Sequence, residues 1–148
     1  MPKITRTFIK AGMFYFLLSL LSGVLLEMDF INIAGLQPLF WHALMVGWIT
    51  QIILGVSLWM FPGRSKKESF QEQRWAWLTF IFLNAGLLFR FLGEPLLLYS
   101  EWSGWNVITA GSALLQFMAG ITYVIEIWPR VLSKKQRREQ RKKRRKSK

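Results

Sequence analysis

The chain has no cysteine, one histidine, five prolines and eight acidic residues in a length of 148. Without cysteine there are no disulfides, no thiolate metal sites and no thiol catalysis. One histidine excludes a clustered histidine metal site within a single chain. Acid is outnumbered by twenty Lys and Arg, for a formal net charge of +12, but the excess is local. Residues 130–148 carry twelve basic side chains against one acid, Glu139, whereas residues 1–129 carry eight basic and seven acidic ones. The nearly neutral body holds most of the apolar content, which is 52% of the whole chain and includes eight Trp. That is more apolar than a soluble core of this size needs, and it excludes a soluble, basic, nucleic-acid-binding domain.

Four apolar runs reach the roughly 20 residues that a helix needs to cross a bilayer. They cover about 11–28, 38–61, 75–99 and 104–128. Pro38 falls in the first turn of the second run, and Pro62 and Pro129 stand just past the ends of the second and fourth. Basic residues mark one side: Lys3, Arg6 and Lys10 before the first run, Arg64, Lys66, Lys67 and Arg74 after the second, and the tail. The other two connections hold no Lys or Arg and three acids, Glu27, Asp29 and Glu101. The positive-inside rule then places both termini in the cytoplasm. A signal peptide is disfavoured, because the first run is long for one and no A-x-A site follows. The expected fold is all-α and integral to the inner (plasma) membrane, an antiparallel four-transmembrane-helix bundle. Its parts are a basic N-terminal segment, 1–10, a transmembrane domain, 11–129, and a basic cytoplasmic tail, 130–148. The tail is expected to lie against anionic lipid headgroups, with an acidic partner as the alternative; nucleic acid is not expected.

Ionisable and amide side chains within the runs are costly there and mark functional positions. They are His42 and Gln51 in the second run, Asn84, Arg90 and Glu94 in the third, and Gln116 and Glu126 in the fourth. The topology brings His42, Arg90 and Glu94 to one level near the outer surface and puts Glu126 at the opposite end. Arg90 and Glu94 are four apart, share a helix face and can pair, or Arg90 can point inward to meet an anion. Pro95 loosens the helix beside them. At α-helical spacing, the face that begins at His42 continues through Met45, Val46, Ile49, Ile52 and Ile53, an apolar wall on which a porphyrin could lie. The opposite side carries Gly47, Gln51 and Gly55, a groove suited to close helix approach. His42 can serve as a haem ligand, or it can bond to Asn84, Asn106 or a backbone carbonyl. Asn84 reads as interhelical glue, and so does the fourth-run stripe of Ser112, Gln116, Tyr123 and Glu126, for which a proton path is the sharper alternative.

From Trp41 to Pro62, WHALMVGWITQIILGVSLWMFP, the sequence resembles the second transmembrane helix of haem-copper oxidase and nitric oxide reductase catalytic subunits and related small membrane haem proteins. The shared pattern is a His near the outer end, then Gly-Trp, a second Gly and an aromatic-plus-Pro exit, here His42, Gly47, Trp48, Gly55, Phe61 and Pro62. The resemblance implies haem b with His42 as axial ligand to the iron and Arg90 as partner of a propionate. The helical face read above would put Met45 and Ile49 beside the ring. Those enzymes have twelve or more helices and further histidines, which this chain lacks, so oxygen or nitric oxide reduction is not open to one copy. A lone histidine leaves three options, a five-coordinate haem, a Met or other sixth ligand, or a second axial histidine supplied by symmetry in a homodimer. The expected function is electron transfer or gas and redox sensing by a membrane haem protein, without enzymatic activity of its own. The alternative is a cofactor-free accessory or assembly subunit of a larger membrane complex.

Overall fold

Long runs of Leu, Ile, Phe, Val and Ala favour helix where water is excluded, because a helix satisfies its backbone polar groups within one segment. The computed structural model describes residues 1–28, 35–61, 74–99, 102 and 104–131. Four helices follow one another: α1, Lys3–Leu26; α2, Leu36–Met60; α3, Arg74–Tyr99; and α4, Gly104–Ile127, which runs on into a 3-10 turn at Trp128–Arg130. The described residues form an all-helical bundle whose four helices are long and apolar enough to cross a membrane. The tail beyond Val131 and the connecting charges Asp29, Arg64, Lys66, Lys67 and Glu101 lie outside the described residues.

Two helices differ from the sequence reading. α1 begins at Lys3 rather than near Ala11, so the basic N-terminal segment forms the first turns of the helix. Pro2 stands at the N-cap with φ −60°, preset for entry, and the Lys, Ile and Arg that follow are compatible with helix. α2 is not uniform: Leu36–Trp41 and Gln51–Met60 are α-helical, but His42–Thr50 is π-helical. α3 continues through Pro95 to Tyr99.

Small residues let these helices approach. A Cβ built on Gly47 would lie 2.6 Å from Cγ of Tyr15 on α1, and one on Gly55 would lie 2.8 Å from Cβ of Phe8. The groove of Gly47, Gln51 and Gly55 is therefore the seat of α1. Gly86 of α3 similarly meets Ser112 and Gln116 of α4, and Gly93 meets Thr109. Polar pairs join the remaining surfaces. Gln51 Nε2 donates to Asn84 Oδ1 at 3.1 Å, linking α2 to α3, and Ser57 and Tyr123 share a hydrogen bond at 2.8 Å, linking α2 to α4. Thr79 and Thr122 share one at 2.9 Å between α3 and α4. An edge-on contact of Phe8 with Phe80, centroids 5.1 Å apart, ties α1 to α3 beside a core of Ile4, Leu58, Ala76, Leu83 and Ala119.

Gly47 tests this arrangement. A Leu there would have to displace Tyr15 at backbone-side atoms, where the ring cannot simply swing away. Gly47→Leu is expected to destabilise the bundle by about 2 kcal/mol, read as a lower unfolding midpoint in mixed detergent. An unchanged midpoint would mean that α1 does not pack in this groove.

Candidate functional site

α2 decides where the site lies. Gly35, just before it, has φ +83°, a left-handed conformation that favours glycine. A Cβ there would lie 3.3 Å from the Glu94 carbonyl oxygen, so the start of α2 is pinned against α3 at Glu94 and Pro95. Pro38 sits one turn before His42, and His42 Nδ1 lies 2.8 Å from the Pro38 carbonyl oxygen. A carbonyl can only accept, so Nδ1 carries the proton and the neutral ring keeps its lone pair on Nε2. Glu94 Oε1 lies 3.4 Å from the same Nδ1. Nε2 has no hydrogen-bond partner among the described residues.

The π-helical stretch sets which way His42 faces. Ala43, Gly47, Gln51 and Gly55 are buried, while Trp41, Met45, Ile49 and Ile53 are exposed, both sets at four-residue intervals. An α-helix repeats every 3.6 residues. The wider i→i+5 turn raises that number, and Thr50 Oγ1 accordingly reaches the Met45 carbonyl five residues back, at 2.8 Å. His42 thus falls in a column with Val46, Thr50 and Leu54, all half-buried, with Val46 and Leu54 packed against the core. Met45 and Ile49 lie on the neighbouring column, 48% and 37% exposed. The single apolar face expected from His42 through Met45, Ile49 and Ile53 is therefore split in two. His42 is turned toward α3, while the apolar stripe faces outward beside it.

On α3, Arg90 Nη1 lies 3.5 Å from Glu94 Oε1, their side chains 17% and 12% exposed. Three of the ionisable residues picked out in the sequence, His42, Arg90 and Glu94, thus meet through one carboxylate oxygen. Each of the two α3 residues keeps a buried polar atom without a partner among the described residues, Arg90 Nε and Glu94 Oε2. Pro95 has no N–H, so the Phe91 carbonyl one turn back lacks its usual helical donor. The arrangement brings together an imidazole, a guanidinium and a carboxylate.

The other polar residues lie elsewhere. Gln51, fully buried, and Asn84 form their own amide pair, and Asn84 Nδ2 also donates to the Phe80 carbonyl at 2.8 Å. His42 bonds to neither Asn84 nor Asn106. Gln116 packs on Gly86, with its Nε2 buried and unpartnered among the described residues. Glu126 pairs with Arg130 one turn on, both side chains 5% exposed, far along α4 from the His42 cluster. Among the described residues no group of three or more His, Cys, Asp or Glu side chains could by itself hold a metal ion.

Sequence reasoning missed the π-helical stretch, the Pro38 carbonyl as partner of His42, and Gly35 as the pin on α3. The spacing Pro38–His42 carried a signal for the second: a carbonyl four residues before a helical histidine lies within reach of its Nδ1. No protein-family model, no curated protein and no solved structure matches the chain.

Proposed function

We propose that the chain is a membrane-embedded b-type haem protein, with Nε2 of His42 as axial ligand to the iron, acting in electron transfer or in gas and redox sensing. The observation that carries this reading is the hydrogen bond from Nδ1 to the Pro38 carbonyl, 2.8 Å long. A ligating histidine needs its other ring nitrogen held by a carbonyl or carboxylate, which fixes the tautomer and the ring orientation. Here a carbonyl does so, with the Glu94 carboxylate 3.4 Å from the same atom. The residues fit the group through the oriented imidazole of His42, which would hold the iron; Arg90, beside Glu94, would meet a propionate, and the exposed Met45 and Ile49 on the neighbouring column would supply apolar surface. When bound, haem supplies a one-electron redox centre or an iron that binds a small gas. This chain's own part is to orient the imidazole and to balance the charge of Arg90 with Glu94.

The reading includes insertion in the inner membrane as an antiparallel bundle with cytoplasmic termini. Opposite senses of α3 and α4 are supported by the pairings of Thr79 with Thr122, Gly86 with Ser112 and Gly93 with Thr109, and the orientation by the placement of Lys and Arg. It also includes a two-fold homodimer. With one histidine per chain, a second axial histidine would come from a symmetry copy, for which the exposed stripe of Met45 and Ile49 beside His42 offers an apolar surface. The test is an absorption spectrum of the detergent-purified protein, oxidised and dithionite-reduced, with a pyridine haemochrome assay. A Soret band, sharp reduced α and β bands and about half a haem per chain are expected for a ligand pair shared across two copies. A flat visible spectrum from cells grown with ample haem would overturn the cofactor and leave a helical scaffold subunit.

A further inference from the structure

At the end of the bundle away from His42, four residues of α1, Lys3, Arg6, Thr7 and Lys10, and Trp77 of α3 line an open surface cleft of about 300 Å³. Three of the five lining residues are cations and none is acidic. On α1 the spacing of Lys3, Arg6, Thr7 and Lys10 is that of one helix face. The same face continues through Met13, Phe14 and Leu17, all exposed, and α3 continues from Trp77 through exposed Leu78 and Ile81. A cationic, indole-bearing cleft thus opens onto an uncovered apolar stripe on each of the two helices that form it.

We infer that this cleft binds the headgroup of an anionic phospholipid, with the acyl chains lying along the exposed stripes. Charge complementarity selects a phosphate-bearing anion, since the Lys3, Arg6 and Lys10 donors and the Trp77 indole N–H can meet phosphate oxygens, while the Thr7 hydroxyl already donates to the Lys3 carbonyl at 3.0 Å. The apolar continuation selects a lipid over free phosphate, because a soluble anion would leave Met13, Phe14 and Leu17 unused. Trp at such a level anchors a helix at a membrane interface. The site is independent of haem; it rests on the reading of the helices as membrane spans.

The test is native mass spectrometry of the full-length protein titrated with phosphatidylglycerol, with phosphatidylcholine and with inorganic phosphate. A preparation released from membranes only by detergent is used, so that failure of the spanning reading is seen separately. Phosphatidylglycerol should bind more tightly than phosphatidylcholine, and inorganic phosphate should not compete. The variant Lys3→Gln/Arg6→Gln/Lys10→Gln is expected to bind phosphatidylglycerol about thirtyfold more weakly. Trp77→Leu, which leaves every charge in place and tests the cleft if the triple variant inserts wrongly, should weaken it about threefold. A charge-matched tail variant, Lys134→Gln/Lys135→Gln/Arg137→Gln, should change it by less than about twofold. Equal losses in the tail and cleft variants, no loss in either cleft variant, or displacement by inorganic phosphate would each overturn the assignment.

Discussion

A His42→Ala variant is expected to lose the Soret band and the reduced α band while keeping the far-ultraviolet circular dichroism of a helical bundle. The chain has no second histidine to take over the ligand role. The cost to the fold should be small, because the Pro38 carbonyl still accepts from the backbone N–H of His42 and loses only the side-chain bond, worth about 1 kcal/mol. Ligation and folding are therefore separable at this position. Imidazole added to the variant should restore a haem spectrum if a cavity remains where the ring stood, an outcome that a purely structural histidine would not give. Retention of the full spectrum in His42→Ala would move the ligand elsewhere and sink the proposed site.

Removal of the Glu94 carboxylate should have the next largest effect, and on stability. Glu94→Leu leaves Arg90 largely buried, 17% exposed, without the carboxylate oxygen 3.5 Å away. A buried charge stripped of its partner costs about 3 kcal/mol. Removing both charges restores a neutral, apolar surface, so Arg90→Leu/Glu94→Leu should recover most of that loss. The coupling is measured as a double-mutant cycle of unfolding midpoints in mixed detergent. If Glu94→Leu costs less than about 1 kcal/mol, the Arg90 stem carries its guanidinium out to the surface instead, and its assignment to a propionate falls with the pairing. The same variant bears on His42: with Glu94 gone, Nδ1 keeps only the Pro38 carbonyl. A haem spectrum should survive in Glu94→Leu with a shifted midpoint potential, because the carboxylate near the ligand raises its basicity.

Much of this was readable along the chain. The length and apolarity of the four runs gave the four helices, because no other segment-local form satisfies a backbone without water. The groove of Gly47, Gln51 and Gly55 was readable because small residues at four-residue spacing admit a neighbour on any helix, and α1 occupies it through Tyr15 and Phe8. Helix direction was enough to put His42 level with Arg90 and Glu94, and to set Glu126 apart. Arg130, its partner, was counted with the tail rather than with the helix end that it closes. The facing of His42 was not readable. A period of 3.6 had to be assumed for α2, and it joins His42 to Met45 and Ile49; a change of turn width leaves no mark in composition.

The sequence by itself determined the number of long apolar helices, the residues that could not face hydrocarbon at small cost, and the level of each along its helix. These follow from rise per residue and from the penalty on unpaired polar groups, both properties of a single segment. Tertiary structure alone decided which polar groups meet. Gly35 pins α2 against α3 at Glu94 and Pro95, the π-helical stretch turns His42 toward α3, and the Pro38 carbonyl holds its Nδ1. The physical reason is rotation about the helix axis: a few tens of degrees of added turn leave the height of a side chain almost unchanged, yet determine whether it faces a carboxylate or the bundle's outer surface.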